Sequence, residues 1–286
     1  MASLQTVSSP HDVREQVTAW RSARQTVAVV PTMGNLHPGH LGLAHLARRI
    51  ADRVVMTIFV NPTQFGAGED FADYPRTLEQ DRALLAAAGT VDLLFVPTED
   101  SIYPFGTADA FTVRAPALAD ELCGASRPGH FDGVVSVVCR LLNIVAPNVL
   151  VLGRKDYQQL VLIERMITDL HLPVRIVPGA TRREADGLAM SSRNRYLTPD
   201  ERARAPLLRA ALERVRIALE GGTADHAALE RQAVASLHDA GFEPDYVEIR
   251  RAADLAKPRV EDAADELVVL GAARLGRARL IDNTSR

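Results

Sequence analysis

Five short, largely apolar runs constrain this chain more than anything else in it. They are TVAVV (26–30), RVVMTIFV (53–60), VDLLFVP (91–97), NVLVLG (148–153) and PVRIVPG (173–179). Before and between them stand stretches with helical periodicity: HDVREQVTAWRSAR, HLGLAHLARRIA, the helix running through LLAAAG, FDGVVSVVCRLLNIV and YQQLVLIERMITDL. A strand with one wet face alternates polar and apolar residues. A strand apolar along its length is covered on both faces, and alternation with helices makes the sheet parallel. The first part of the chain, 1–182, is therefore expected to be a Rossmann-like α/β domain, a parallel sheet with helices on both faces.

The texture changes after about residue 182. Thr198-Pro199-Asp200-Glu201 combines an N-cap, proline at the first helical position and glutamate at the third. It predicts a long charged helix ending near Gly221-Gly222, followed by a second helix, ADHAALERQAVASLHDAG. Three strand-like runs close the chain: DYVEIRRA, ELVVLGAAR and RARLID. Residues 183–286 thus read as a smaller α+β domain, expected to close over the site of the first. A second capping box is expected at Thr77-Leu78-Glu79-Gln80.

At 286 residues and 47% apolar composition, the chain can bury a substantial core. Its 33 basic and 36 acidic residues leave a net charge of −3, which excludes a basic nucleic-acid scaffold. Cys123 and Cys139 have neither Cys-x-x-Cys spacing nor a histidine at zinc-finger spacing, as expected of a reduced, cytoplasmic protein. MASLQTVSSPHDVREQV lacks the basic and apolar regions of a signal peptide, and no apolar run is long enough to span a bilayer. No membrane partner is expected.

Four stretches carry chemistry. In PTMGNLHPGH (31–40), His37 and His40 stand at a corner between a strand and a helix. Backbone N–H groups and the helix dipole favour an anion there, and Gly39 allows close approach. The two imidazoles can hydrogen-bond phosphate, or simply fill space. Zinc is less attractive, because no third ligand stands at a familiar spacing. In FVNPTQFGAGEDFADYPRT (59–77), the neutral amides of Asn61 and Gln64 follow a strand's C-terminal end and suit a hydroxy acid. Phe65 and Met33 can wall an apolar pocket, and the alternative is a glycine-rich surface loop.

In GRKDYQQL (153–160), Lys155 offers a point charge for phosphate, Asp156 can orient it or cap the helix, and Gln159 falls on the first helical turn. The alternative is an ordinary helix start with solvated charges. In AMSSRNR (189–195), Ser191, Ser192 and Arg193 can close over a triphosphate and follow charge onto departing pyrophosphate; the alternative is a polar linker. Each motif alone is ambiguous, but together they form a nucleotidyl-transfer arrangement. Neither Gly-x-Gly-x-x-Gly nor Gly-Lys-Ser/Thr is present, which argues against a nicotinamide enzyme and a P-loop kinase.

PTMGNLHPGH, FVNPTQFGAGEDFADYPRT, RPGHFDG, GRKDYQQL and READGLAMSSRNRYL, in that order, closely resemble the pantoate–β-alanine ligases. His37-Pro38-Gly39-His40 resembles the histidine signature of their nucleotidyltransferase superfamily, and Met190-Ser191-Ser192-Arg193 its mobile phosphate loop. The resemblance implies that ATP and pantoate form a pantoyl adenylate and pyrophosphate. The amine of β-alanine then attacks the acyl carbon, giving pantothenate and AMP. It also implies Mg²⁺ with the ATP, and a homodimer.

By motif match, His37 and His40 contact ATP phosphates, while Lys155, Ser191, Ser192 and Arg193 hold the triphosphate and stabilise the transition state. Met33, Gly153 and Asp156 join the ATP site. Gln64, Gln159 and Asn61 hydrogen-bond pantoate, with Met33 and Phe65 at its dimethyl end, and Asp81 matches an acidic position near the metal. Asn35, Pro38 and Arg154 depart from the family pattern. The competing readings are a transferase that stops at nucleotide transfer, a non-catalytic nucleotide-binding protein and a structural zinc protein.

Overall fold

The computed structural model describes residues 4–285. The chain divides into two compact units, one formed by Met1–Arg154 with Leu162–Ala180 and the other by Lys155–Val161 with Thr181–Arg286. The first unit is built on a six-stranded sheet: β1 (Gln5–Val7), β2 (Val27–Thr32), β3 (Arg53–Ile58), β4 (Leu93–Phe95), β5 (Val149–Gly153) and β6 (Arg175–Gly179). The order is β1-β4-β3-β2-β5-β6, and every neighbouring pair is parallel. The five strands expected from the apolar runs are all present. The sixth, β1, is three residues long and largely uncovered, with the burial of a sheet edge rather than of a core strand, so no apolar run announces it.

The helices of this unit are α1 (Pro10–Ser22), α2 (Pro38–Ile50), α3 (Leu78–Ala88), the short α4 (Glu99–Ile102), α5 (His130–Val145) and α6 (Tyr157–Asp169), which begins among residues of the second unit. Ala28, Val30, Val54, Met56 and Val151 pack with Ala44 and Ala47 of α2 and Leu85 of α3. The alternate residues Val27, Val29, Val55 and Leu150 are just as buried, so both faces of the sheet are covered. Each such side chain contributes about 1.5–3 kcal/mol by leaving water.

In the second unit, β7 (Glu243–Arg251), β8 (Leu267–Leu275) and β9 (Ala278–Thr284) form an antiparallel sheet in sequence order. Its core joins Leu208, Leu212 and Val215 of α8 (Leu207–Glu220) and Leu237 of α9 (His226–Asp239) to Ile249 and Val269. The capping box at Thr198 forms: its side chain accepts from Glu201 N–H, and the Glu201 side chain accepts from Thr198 N–H. The long helix expected after it does not. It is cut into α7 (Pro199–Arg204) and α8 around Ala205 and Pro206, because Pro206 has no N–H to continue the ladder.

The box expected at Thr77 also fails. Thr77 makes no side-chain cap bond to α3 and turns its hydroxyl toward Asp81, at 3.2 Å.

Candidate active site

The sheet order reverses direction at β2 and β5. Strands β3 and β4 continue on one side of β2, and β5 and β6 lie on the other. Open α/β sheets bind ligands beyond the carboxyl ends of the strands at such a point. PTMGNLHPGH leaves β2 there, and Gly153 ends β5.

His37 is the N-cap of α2, with Pro38 at the first helical position. Its Nδ1 accepts from Gly39 N–H at 3.1 Å, and His40 Nδ1 accepts from His37 N–H at 3.3 Å. Two imidazoles thus replace the usual hydroxyl and carboxylate of a capping box. Because each Nδ1 is an acceptor, the neutral ring carries its proton on Nε2, where it can donate. The rings sit 4.0 Å apart between centroids. Pro38 is compatible with this corner, since the N–H it lacks would be unpaired in a first turn.

The corner is held from behind by Asp81, which is 3% exposed. Its carboxylate accepts from Asn35 N–H at 2.9 Å and Leu36 N–H at 2.7 Å, besides the Thr77 hydroxyl. Gly34 and Asn35 have φ of 80° and 50°. This left-handed pair turns successive N–H groups inward, at a position that asparagine tolerates. A Cβ on Gly34 would stand 3.0 Å from Ile58 Cγ2 and 3.2 Å from Asp81 Oδ2. Asp81 thus supports the corner through three hydrogen bonds, two from the backbone and one from Thr77. Among the described residues, no group of three or more His, Cys, Asp or Glu side chains is placed to hold a metal ion.

The stretch after β3, expected from the sequence to hold a hydroxy acid, is equally specific. Asn61 is 1% exposed. Its Nδ2 donates to Gln64 Oε1 and to the Gly133 carbonyl, both at 3.2 Å. Its Oδ1 accepts from Tyr103 OH at 2.7 Å and from Thr63. Both ends of that amide are thus hydrogen-bonded within the protein. It fixes the orientation of Gln64, whose Nε2 faces the Met33 sulfur at 3.1 Å. Phe65 packs on Phe71 and on buried Tyr74, with ring centroids 5.3 and 5.9 Å away.

Residues that sequence reasoning did not single out complete this wall. Tyr103 is buried beneath Asn61, and burial pushes its phenol above the ordinary value despite the Thr63 hydrogen bond and nearby Arg140, so it remains a donor. Arg127 donates to Glu69 at 2.7 and 2.5 Å and to His130 Nε2 at 2.9 Å, while His130 Nδ1 donates to the Gln64 carbonyl at 2.7 Å. Burial works against the Glu69 carboxylate, but the hydrogen bond and charge of Arg127 outweigh it and hold the group below its ordinary range. Gly133, in the first turns of α5, allows the helix to touch this loop: a Cβ there would stand 2.3 Å from the Thr63 carbonyl oxygen. The RPGHFDG motif was the visible trace of this arrangement.

In the second unit, Lys155 is largely covered and sits 3.5 Å from Asp156 Oδ1, while Gln159 is half-buried in the first turn of α6. Arg154 is exposed. Ser191 caps a short 3₁₀ turn, Ser192–Tyr196, and its Oγ accepts from Arg193 N–H at 3.3 Å.

A model of the pantoate–β-alanine ligase family matches residues 5–285. The chain belongs to the pantoate–β-alanine ligase family. A pantothenate synthetase of Shewanella amazonensis is 57% identical over 272 residues, covering 95% of both chains. One of Thioalkalivibrio sulfidiphilus is 54% identical over 280 residues, covering 98% of this chain and 97% of that one. The crystal structure of pantothenate synthetase from Thermus thermophilus superposes with a TM-score of 0.90 at 44% identity, over 99% of both chains. That of the Francisella tularensis ligase, complexed with β-γ ATP and β-alanine, gives 0.80 at 33% identity, over 99% of this chain and 97% of that one. The chain is accordingly an enzyme of pantothenate biosynthesis, a carbon–nitrogen ligase that condenses pantoate with β-alanine using ATP.

Proposed function

We propose a division of labour among this chain's residues within that reaction. The Nε2–H groups of His37 and His40 donate to phosphate oxygens of ATP, beside Met33 and Gly153. Lys155, Ser191, Ser192 and Arg193 hold the β- and γ-phosphates and follow the charge that develops on pyrophosphate, with Asp156 orienting Lys155. Gln64 and Gln159 hydrogen-bond pantoate, and Met33 and Phe65 cover its dimethyl end. Asn61 acts one layer further out, through Gln64.

A pantoate carboxylate oxygen attacks the α-phosphorus and the bond to the bridging oxygen of pyrophosphate breaks. The β-alanine amine then attacks the acyl carbon, loses a proton and expels AMP. No protein nucleophile is required; cations and N–H donors aimed at the departing charge lower the first barrier, and alignment of carboxylate with α-phosphate lowers it further. Magnesium enters as the ATP complex, carried on phosphate oxygens in the way that ion usually binds. The enzyme works as a homodimer in the cytoplasm, where ATP is available.

The observation that supports this reading is the reciprocal cap of His37 and His40, which sets both imidazoles at the start of α2, at the switch point of the sheet, with the proton of each neutral ring on Nε2. Pantoate labelled with ¹⁸O in its carboxylate tests the chemistry. The label is expected in the phosphate of AMP, and label confined to pyrophosphate or to inorganic phosphate contradicts it. Sedimentation equilibrium at micromolar protein checks the dimer, with a mass near twice the 31.1 kDa chain expected.

A further inference from the structure

The last strand of the small sheet carries two buried polar residues where apolar ones would serve it better. Asp282 and Asn283 on β9 are 5% and 8% exposed. The strand is already held by its antiparallel register with β8, through Gly271↔Asp282 and Leu270↔Asn283. Asp and Asn are depleted in strands and costly to bury, so a buried pair needs partners worth that cost.

Both have such partners. Asn283 Nδ2 donates to the Lys155 carbonyl at 2.8 Å. Asp282 accepts two bonds from the Arg183 guanidinium, at 2.7 and 3.0 Å, in the fork geometry that makes such pairs strong and directional. Arg183 also donates to the Gly187 carbonyl at 3.1 Å and forms an isolated antiparallel bridge with Ala189. Ala189 in turn accepts from Asn194 Nδ2 at 3.0 Å, so the turn bearing Ser191, Ser192 and Arg193 is tied to the same bridge. Asp282 is also tied to its neighbour's backbone, because its Oδ1 accepts from the Asn283 backbone N–H at 2.8 Å.

We propose that Asp282 and Asn283 are positioning residues for phosphate binding: Asn283 fixes the backbone from which Lys155 reaches, and Asp282, through Arg183, fixes the shoulder of the Ser191–Arg193 turn. This rests on the roles assigned above to Lys155, Ser191, Ser192 and Arg193. Lysine presents its charge at the end of a flexible stem, so the origin of that stem decides where the charge falls. Displacements of about 1 Å at groups that stabilise a transition state can cost about a hundredfold in rate.

The test uses the full chain and separates the two half-reactions. Asn283→Asp is nearly isosteric but sets a carboxylate oxygen against the Lys155 carbonyl. Pantoate-dependent ATP–pyrophosphate exchange is expected to fall about tenfold or more, with a raised KM for ATP, as for the loss of a well-placed buried contact. Pantoate affinity and the reaction of supplied pantoyl adenylate with β-alanine are expected to stay within about twofold. Added to Lys155→Met, Asn283→Asp is expected to cause no further loss, because it acts through that lysine.

Equal losses in both half-reactions, a loss that simply adds to that of Lys155→Met, or wild-type exchange each overturn the proposal. Arg183→Lys leaves β9 untouched and keeps the charge without the fork. It is expected to show the same selective loss, and it decides the matter if Asn283→Asp does not fold. If Lys155→Met itself exchanges normally, the assigned role of Lys155 fails. If only Lys155→Met is impaired, the positioning role alone fails.

Discussion

The histidine corner and the Ser191–Arg193 turn are held in opposite ways. At the corner, the residues with assigned chemistry hold one another. His37 and His40 cap the same helix reciprocally, and one buried carboxylate, Asp81, grips the backbone immediately before them. The turn is held at its shoulders instead, by Arg183 on Asp282 and by Asn194 on the Ala189 carbonyl. Within it, Ser191 Oγ accepts a local bond from Arg193 N–H. A rigid donor pair suits a phosphate that must be held in line. A side chain braced from outside suits charge that moves away as pyrophosphate departs.

The sharpest way to break this comparison is to remove one chemical group from each region. His40→Ala and Lys155→Ala are each expected to lower turnover by about 10²–10³-fold, the range for losing one preorganised donor to developing charge. Circular dichroism should show the fold intact in both. The causes differ, however: His40→Ala also removes half of the helix cap, so a loss of about 1 kcal/mol in urea unfolding is expected for it and not for Lys155→Ala.

Asp81→Asn comes next. It leaves at least one buried N–H facing an amide donor, which is expected to destabilise by about 1–3 kcal/mol and to lower turnover, with no recovery as Mg²⁺ is raised. A defect that disappears at high Mg²⁺ would instead make Asp81 a metal ligand.

Gly133→Ala should act on pantoate rather than ATP, because its Cβ would displace the Thr63–Gln64 backbone. A rise in the KM for pantoate of about tenfold is expected, with the KM for ATP within about twofold.

The smallest effect concerns Glu69. Its folded pKa is depressed, so the stability it contributes is present above its unfolded value, near 4.5, and is lost as pH falls through the folded value. Melting temperature in acid should therefore depend less steeply on pH in Glu69→Gln than in the wild type.

Those experiments divide along what the sequence makes legible. The parallel sheet could be read because each core strand had to be apolar on both faces, while β1, an edge of three residues, carries no such signature. The motifs stand out because each is a run of adjacent residues. Their supports do not. Tyr103 meets Asn61 across 42 residues, Arg127 meets Glu69 across 58, and Arg183 meets Asp282 across 99. Nothing in the spacing of one chain selects such pairs before the fold is known. Competition between partners explains one local misreading. Thr77 looks like a cap, but in the folded chain its hydroxyl donates to the Asp81 carboxylate, which also grips the backbone of the corner. Asn61 has the chemistry of a ligand-binding amide, and the fold adds bonds from it to Gln64, Gly133 and Tyr103 that the motif does not announce.

Rapid-quench single turnover with ATP and pantoate, in the absence of β-alanine, measures the step that both regions are proposed to serve. His40→Ala and Lys155→Ala are each expected to form pantoyl adenylate about 10²-fold or more slowly than the wild type. Both should still convert supplied pantoyl adenylate and β-alanine to pantothenate within a few-fold of the wild-type rate, because the pyrophosphate has already gone. Wild-type adenylate formation in either variant would contradict a shared role for the two regions in the first step.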